Sequence, residues 1–180
     1  GGLGYIGTEL CKIYSGYSWN DKITIIDNRF ISERVNQIRN WNMNFIQGDI
    51  LDKDLINEHC KDADIVHHLA GITDVPRVKS ESTFEKEKLI RKVAEEGTQN
   101  ILDAISDECK IIMPSSHVVY EGLDSIKKNI KEDEKTCPSL AYGKSKDINE
   151  KQLKDSGKNF VILRLASVYG YSTDTARIDI

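Results

Sequence analysis

Apolar residues follow two different periods along this chain, and the two periods alternate. Short β-branched runs such as Ile23-Thr24-Ile25-Ile26 have the length and content of buried strands. Between these runs, apolar residues recur at helical spacing, as in Ile6, Leu10 and Ile13. The pattern predicts strands over 23–26, 44–47, 64–69, 110–114 and 160–165, helices over 6–15, 32–40, 54–60, 82–106 and 141–156, and a polar loop over 121–138. Alternating strands and helices predict an α/β fold with a doubly wound parallel sheet.

The composition is that of one globular domain over residues 1–180, with 39% hydrophobic and 30% charged residues. A net charge of −4 gives no electrostatic reason to expect nucleic acid or an anionic membrane as a partner. No apolar run approaches the roughly 18 residues of a membrane span, and we identify no secretory signal. The four cysteines have no C-x-x-C spacing. They predict reduced thiols in a cytoplasmic protein and no metal site.

The two ends of the sequence predict a fragment. The chain has no initiator Met, and a glycine-rich turn begins at Gly1 with no strand before it, although such a turn normally follows a buried strand. The last residues, Asp179 and Ile180, carry no terminating signal. We therefore expect the first strand and a C-terminal portion to be missing from this chain.

The glycine-rich turn is a candidate dinucleotide site. Gly1, Gly4 and Gly7 have the spacing of a turn that brings backbone close to a pyrophosphate at a helix N-terminus. Asp27 ends the next predicted strand, where a carboxylate accepts hydrogen bonds from a ribose diol and repels a 2′-phosphate. These residues predict NAD as the cofactor. Arg29 keeps NADP open, because an arginine can accommodate that phosphate.

Other chemically active residues also follow predicted strands. Asp49, Ala70-Gly71 and Ser115-Ser116 each fall at the end of a predicted strand. Because ligands of parallel sheets bind at the carboxyl ends of the strands, these residues predict one binding edge. At Asp49 two interpretations stay open, a contact to the adenine amino group and the N-cap of the following helix.

Tyr142 and Lys146 are the candidate reaction centre. Four residues apart, they lie on one face of a predicted helix. A tyrosine is a poor base at neutral pH unless a nearby cation stabilises the phenolate, which Lys146 can do. Ser116 supplies a hydroxyl that can orient a substrate alcohol or carbonyl. A chance Tyr–Lys pair on a surface helix is the alternative, and the glycine turn and Asp27 make it the weaker one.

An ordered set of motifs resembles the extended short-chain dehydrogenase/reductase family, and within it the NAD-dependent epimerase/dehydratase group. The set covers nearly the whole chain. It comprises Gly1–Gly7, Asp27-Asn28, Asp49-Ile50, His68-Leu69-Ala70-Gly71, Ser115-Ser116 with Val119-Tyr120, Tyr142-x-x-x-Lys146, and Leu163-Arg164-Leu165-Ala166-Ser167-Val168-Tyr169-Gly170.

The resemblance implies a Rossmann-like fold, a nucleotide-sugar substrate and, in the full-length protein, a homodimer and a C-terminal substrate domain. It implies Ser116, Tyr142 and Lys146 as catalytic residues. The residues that it implies for the cofactor are Gly1, Gly4, Tyr5, Ile6, Gly7, Asp27, Asn28, Asp49, Ile50, Leu69, Ala70, Gly71, Tyr142 and Lys146.

Departures from the family pattern narrow the expected reaction. Dehydratases of the group have acidic residues where His117 and Val118 stand, and its decarboxylases favour a glutamate at Val118. The family's asparagine ahead of Gly97-Thr98 is Ala94, and another before the V-Y-G run is Ser167. We therefore expect epimerisation at a sugar carbon. An NAD(P)-dependent carbonyl or sterol-type reductase and a non-catalytic NAD-binding module are the alternatives.

We expect three of the histidines to have structural roles rather than catalytic ones. His117 is expected to line the pocket without catalytic work, although a proton shuttle is conceivable beside Ser116. His67 and His68 alternate faces on a predicted strand, so one should pack in the core and the other near the cofactor loop.

Overall fold

The computed structural model describes residues 1–17, 22–73, 83–123 and 127–170. Its helices are α1 (Tyr5–Ser15), α2 (Ser32–Asn40), α3 (Lys53–Cys60), α4 (Phe84–Ala104) and α5 (Ala141–Asp155). Its strands are β1 (Thr24–Asp27), β2 (Asn44–Gln47), β3 (Ile65–His67), β4 (Lys110–Ser116) and β5 (Asn159–Leu165), and a 3₁₀ turn covers His117–Tyr120. Every predicted strand and helix is present, which confirms the α/β class. Residue 82 of the predicted fourth helix and residues 124–126 of the predicted loop lie outside the described ranges.

All strand pairs are parallel, as predicted, but the described strands form two sheets. β1 pairs with β2, with Ile25 opposite Phe45. β4 lies between β3 and β5, with Ile112 opposite both His67 and Val161. The glycine turn lies between the two sheets: the nitrogens of Gly1 and Gly2 donate to the carbonyl of Ile26 at 2.8 and 3.3 Å. A side chain at Gly1 would approach the Leu69 carbonyl, in the loop that follows β3 of the other sheet, to 2.4 Å.

Two strands, β3 and β4, end two residues away from their predicted ends. β3 ends at His67 rather than at residue 69, since the Leu69 amide turns back to the His67 carbonyl at 3.0 Å. β4 continues to Ser116, two residues beyond its predicted end. The 3₁₀ turn that follows was absent from the sequence pattern, and the Ser116 hydroxyl caps it by accepting from the Val118 amide at 3.4 Å.

The hydrophobic core has two parts, one under each sheet. The larger part fills the space between the three-stranded sheet and helices α3, α4 and α5, around Ile111, Met113 and Leu153. The smaller part lies between the glycine turn and α2, around Leu3 and Val35. Both parts leave the carboxyl ends of the strands free to carry polar groups.

Leu153 tests the larger core. It is fully buried, so Leu153→Ala leaves a cavity and should lower the free energy of unfolding by about 2–5 kcal/mol. Leu89→Ala, at a position that is 49% exposed, is the matched control and should change it by about 0.5 kcal/mol or less. Urea denaturation measures both values. Equal losses in the two variants would show that α5 does not pack on the core as described.

Candidate active site

The glycine turn has a shape that only small residues permit. The Gly4 amide donates to the Gly1 carbonyl at 3.2 Å, which closes the turn before α1. A Cβ at Gly7 would lie 2.5 Å from the Gly2 carbonyl oxygen, and that backbone atom has no room to move. Any residue with a side chain at position 7 would therefore clash with the backbone of the turn, which explains why the sequence has glycine there.

Charged side chains from β1 and α2 fix Leu3, the central residue of the turn. The Leu3 amide donates to Asp27 Oδ2 at 2.9 Å, and the buried Arg34 guanidinium donates to the Leu3 carbonyl. Asp27 Oδ1 accepts from the Arg29 amide at 3.0 Å, and the Arg29 side chain lies 3.5 Å away. Asp27 therefore has a structural task in addition to the ribose contact predicted for it.

Asn28 and Asp49 join the ends of β1 and β2. The Asn28 side-chain amide donates to Asp49 Oδ2 at 3.1 Å, and Asp49 Oδ1 accepts from the Leu51 amide at 2.9 Å. The helix-cap interpretation of Asp49 is wrong, because Asp52 is the N-cap of α3 and accepts from the Leu55 amide at 3.1 Å.

Three other predicted cofactor residues take different positions around the turn. Tyr5 and Ile6 form the first turn of α1, where Ile6 is exposed. The Tyr5 hydroxyl lies next to Gly170, 3.2 Å from where a Cβ there would be. Ile50 is buried in the core instead, packed on α4 where a Cβ at Gly97 would meet it at 2.8 Å. Its predicted cofactor contact stays a prediction.

Tyr142 and Lys146 lie in one small cavity with the loop that follows β3. The cavity has a volume of about 30 Å³, enough for one or two water molecules. Its lining residues are Leu69, Ala70, Gly71, Ile72, Thr73, Ile90, Ala94, Tyr142, Ser145, Lys146 and Asn149. The structure thus brings together the predicted Leu69-Ala70-Gly71 segment and the Tyr–Lys pair.

The Lys146 ammonium is held inside this cavity. It donates to the Pro114 carbonyl of β4 at 2.9 Å and lies 5.9 Å from the centre of the Tyr142 ring. Burial lowers the pKa of Lys146 from 10.5 to about 8. A cation so poorly solvated stabilises a negative charge formed nearby more strongly than a surface lysine would.

Ser116 is the last residue of β4, two positions beyond the carbonyl that anchors Lys146. The next turn packs on the start of α5, since a Cβ at Gly143 would lie 3.0 Å from the Val118 carbonyl. The three predicted catalytic residues therefore belong to elements that meet at one end of the sheet. A direct contact of Ser116 with the substrate stays a prediction.

The prediction that one of the two adjacent histidines packs in the core is confirmed, whereas the position of the other near the cofactor loop stays a prediction. His68 is buried in the core, where its Nε2 lies 2.8 Å from the Thr98 hydroxyl, and burial, with a smaller effect from Lys146, lowers its pKa to about 3. His67 contacts the Tyr14 hydroxyl of α1 at 2.9 Å. His117 is exposed, 3.3 Å from the Leu165 carbonyl, and is not among the cavity residues.

Sequence reasoning missed several polar residues in and behind the cavity. Asn149 donates to the Ala94 carbonyl at 2.9 Å and to the Thr98 hydroxyl at 2.7 Å, which ties α5 to α4. Glu150 and Arg164 form a buried ion pair. An arginine in the otherwise apolar Phe160–Leu165 run was the one signal that could have revealed this pair.

Within the described ranges, no group of three or more His, Cys, Asp or Glu side chains is arranged to hold a metal ion. No helix in the same ranges is both long enough and apolar enough to cross a membrane.

Parallel strands whose carboxyl ends meet a glycine turn and a buried lysine define an α/β domain of the Rossmann type. More narrowly, the chain belongs to the 3-beta hydroxysteroid dehydrogenase/isomerase family, whose model matches residues 1–177.

Individual relatives agree with the resemblance to epimerase/dehydratase enzymes. A UDP-N-acetyl-alpha-D-glucosaminuronate decarboxylase of Bacillus cytotoxicus is 32% identical over 124 residues, covering 67% of this chain and 36% of the relative. A CDP-paratose 2-epimerase of Salmonella typhi is 26% identical, covering 94% and 56%. A solved UDP-glucose 4-epimerase from Brucella ovis in complex with NAD has a TM-score of 0.78 at 29% identity, covering 97% and 52%. The chain therefore spans about half the length of two of these proteins and about a third of the other.

The lowered pKa of Lys146 predicts a pH dependence of stability. Between pH 8 and 10.5 the unfolded chain keeps a proton that the folded chain has released, so the free energy of unfolding should rise with pH over this interval. Lys146→Met removes this contribution. The wild-type minus variant difference, from urea denaturation at several pH values, isolates Lys146 from other titrating groups. A difference that does not change with pH would show that the ammonium is solvated.

Proposed function

We propose that the complete protein containing this chain binds NAD at the glycine turn and inverts one carbon of a nucleotide sugar by oxidation and reduction. The observation that carries this proposal is the Lys146 ammonium, which shares a cavity with Tyr142 and the Gly71 loop. A buried lysine of lowered pKa beside a phenol is the arrangement that activates a tyrosine for proton transfer.

The residues around the glycine turn fit a dinucleotide. The N-cap of α1 is Gly4, which has no side chain to cap the helix, and the first turn of α1 contains no acidic residue. An uncapped helix start presents free amides and the positive end of the helix dipole, which suits a pyrophosphate. Asp27 can still accept from a ribose hydroxyl, because each carboxylate oxygen has two lone pairs. A Cβ placed at Gly71 would lie 4.0 Å from Lys146 Nζ and within 4 Å of no other group in the part of the chain that the structure describes.

The protein residues in this proposal move a proton and hold the substrate. Tyr142 accepts the proton of a sugar hydroxyl as the carbon is oxidised, and returns it when the carbon is reduced from the opposite face. Lys146 stabilises the Tyr142 phenolate before it takes up that proton and again after it has returned it. Ser116 donates a hydrogen bond to the sugar oxygen. NAD, when bound, accepts the hydride and gives it back.

The relatives support a nucleotide sugar as the substrate, since the names of all three contain one. Two of these relatives are epimerases and the third is a decarboxylase. Val118 has no carboxylate, and the exposed His117 imidazole lies against the Leu165 carbonyl. This chain therefore lacks, at these two positions, the acidic groups that the family resemblance assigns to elimination or decarboxylation. Epimerisation is the reaction that needs no further acid.

Three properties of the complete protein belong to this proposal. They are a C-terminal substrate domain, a homodimer and a cytoplasmic location. The partial coverage of the relatives supports the C-terminal domain, and four free cysteines support the cytoplasmic location. Light scattering of the full-length protein measures its mass in solution and so tests whether it is a homodimer.

Tyr142→Phe tests the reaction centre. The variant keeps the ring but has no proton to exchange, so turnover should fall by about 10²–10⁴-fold while NAD affinity stays nearly unchanged. Steady-state kinetics and calorimetric titration with NAD give the two values. Tyr17→Phe, at an exposed position, is the matched control. Full activity in Tyr142→Phe would remove this tyrosine from the mechanism, and no turnover by the wild type would favour the non-catalytic NAD-binding module.

A second candidate function follows from the family model, which is described by a steroid dehydrogenase/isomerase activity. In that case the same three residues would serve a net oxidation or reduction of a hydroxysteroid or another carbonyl substrate.

The absorbance of NADH separates the two candidates. An epimerase returns each hydride, so substrate conversion should proceed with no net NADH at steady state. NADH formation in proportion to the substrate consumed would overturn epimerisation and support the dehydrogenase. A panel of UDP- and CDP-sugars and a hydroxysteroid, each with NAD, provides the comparison.

A further inference from the structure

Glu150 is among the most deeply buried charged residues in the described chain, with 1% of its surface exposed. Its Oε1 accepts from the Ser115 hydroxyl at 2.6 Å and from Arg164 Nε at 2.9 Å. Its Oε2 accepts from Arg164 Nη2 at 2.6 Å and from Lys154 at 3.1 Å. Burial alone would raise the pKa of Glu150, but these donors outweigh burial and lower it to about 2. The carboxylate is therefore ionised and fully occupied at neutral pH.

Arg164 extends these contacts to the segment that leads into α5. One of its nitrogens donates to the Tyr120 hydroxyl and, at 2.8 Å, to the Glu132 carbonyl. Tyr120 in turn donates to the Lys131 carbonyl at 3.1 Å. The guanidinium therefore joins β5, the 3₁₀ turn and the loop before α5.

Two members of this network are close sequence neighbours of candidate catalytic residues. Ser115 precedes Ser116 on β4, and Glu150 follows Lys146 by one turn of α5. Glu121, next to Tyr120, accepts from the Leu140 amide at 2.8 Å and so fixes the start of α5 just before Tyr142. The network thus connects the strand that carries Ser116 to the helix that carries Tyr142 and Lys146.

A buried ion pair is weak evidence for stability, because two apolar side chains of similar size often stabilise a fold as well. A network of directional bonds does fix distances and angles between the elements that it joins. Proton transfer depends on such geometry, and a displacement of about 1 Å can cost about 10²-fold in rate.

We propose that Glu150, bonded to Ser115 and Arg164, is a positioning residue that sets the distance between Ser116 and the Tyr142–Lys146 face of α5. The inference rests on the proposed function. It assigns a task to two buried residues, Ser115 and Glu150, and to the partly buried Arg164, none of which lines the cavity.

The test uses the full-length protein and two variants. Glu150→Met with Arg164→Met removes both charges together, so that no unpaired ion remains. Ser115→Ala removes a single bond and leaves the ion pair in place. We expect kcat to fall at least about tenfold in the double variant and severalfold in Ser115→Ala, with NAD affinity and KM changed by less than about threefold.

Thermal unfolding of the same samples separates positioning from stability. Lys53→Gln with Asp103→Asn removes an exposed ion pair of 2.9 Å and is the matched control, expected to keep wild-type kcat. A folded double variant or Ser115→Ala variant with wild-type kcat would overturn the inference. A double variant that does not fold leaves the decision to Ser115→Ala.

Failure of the proposed function has a different signature. If the wild type converts no nucleotide sugar, the proposed function is refuted and the inference falls with it. If the wild type is active and the folded variants match it, the inference alone is refuted.

Discussion

The burial of one ammonium group determines how the candidate site can work. Lys146 has left bulk water for a cavity of about 30 Å³, where the Pro114 carbonyl accepts one of its protons at 2.9 Å. That burial costs free energy, which the pKa of about 8 expresses. The cost is useful only if the cation stabilises a negative charge that forms beside it, and the Tyr142 ring lies 5.9 Å away. The position of the Lys146 ammonium beside the Tyr142 ring is therefore the basis of the proposed proton transfer.

The glycine turn is the second part of the candidate site, and two side chains of opposite charge, Asp27 and Arg34, hold it in place. Asp27 accepts the Leu3 amide and Arg34 donates to the Leu3 carbonyl, so both polar groups of that residue are fixed by the next strand and helix. The turn also contacts Ile26 of one sheet and the Leu69 backbone in the loop that follows β3 of the other sheet. A ligand held at the start of α1 and directed along the strand ends therefore approaches the cavity that contains Lys146.

Local patterns predicted most of the fold, because periodicity reports which face of a segment is buried. The helix over 32–40 and the strand over 44–47 match the structure residue for residue. Periodicity does not report which strands pair, so the strand order and the register come from the structure alone. The same limit applied to the site. Tyr142 and Lys146 were found because one helix fixes their spacing, whereas Asn149, Glu150 and Arg164 depend on partners 14 to 55 residues away. Asp49 was open to two interpretations because two aspartates precede α3, and only the structure shows that Asp52 is the cap.

The most direct test of this account is the pKa of the Lys146 side chain, measured by NMR titration of protein with labelled lysines. Lys146→Arg assigns the signal. We predict a midpoint near pH 8, well below the other lysines. A midpoint near 10.5, with the signal moving together with those of surface lysines, would show a solvated ammonium and would contradict the account.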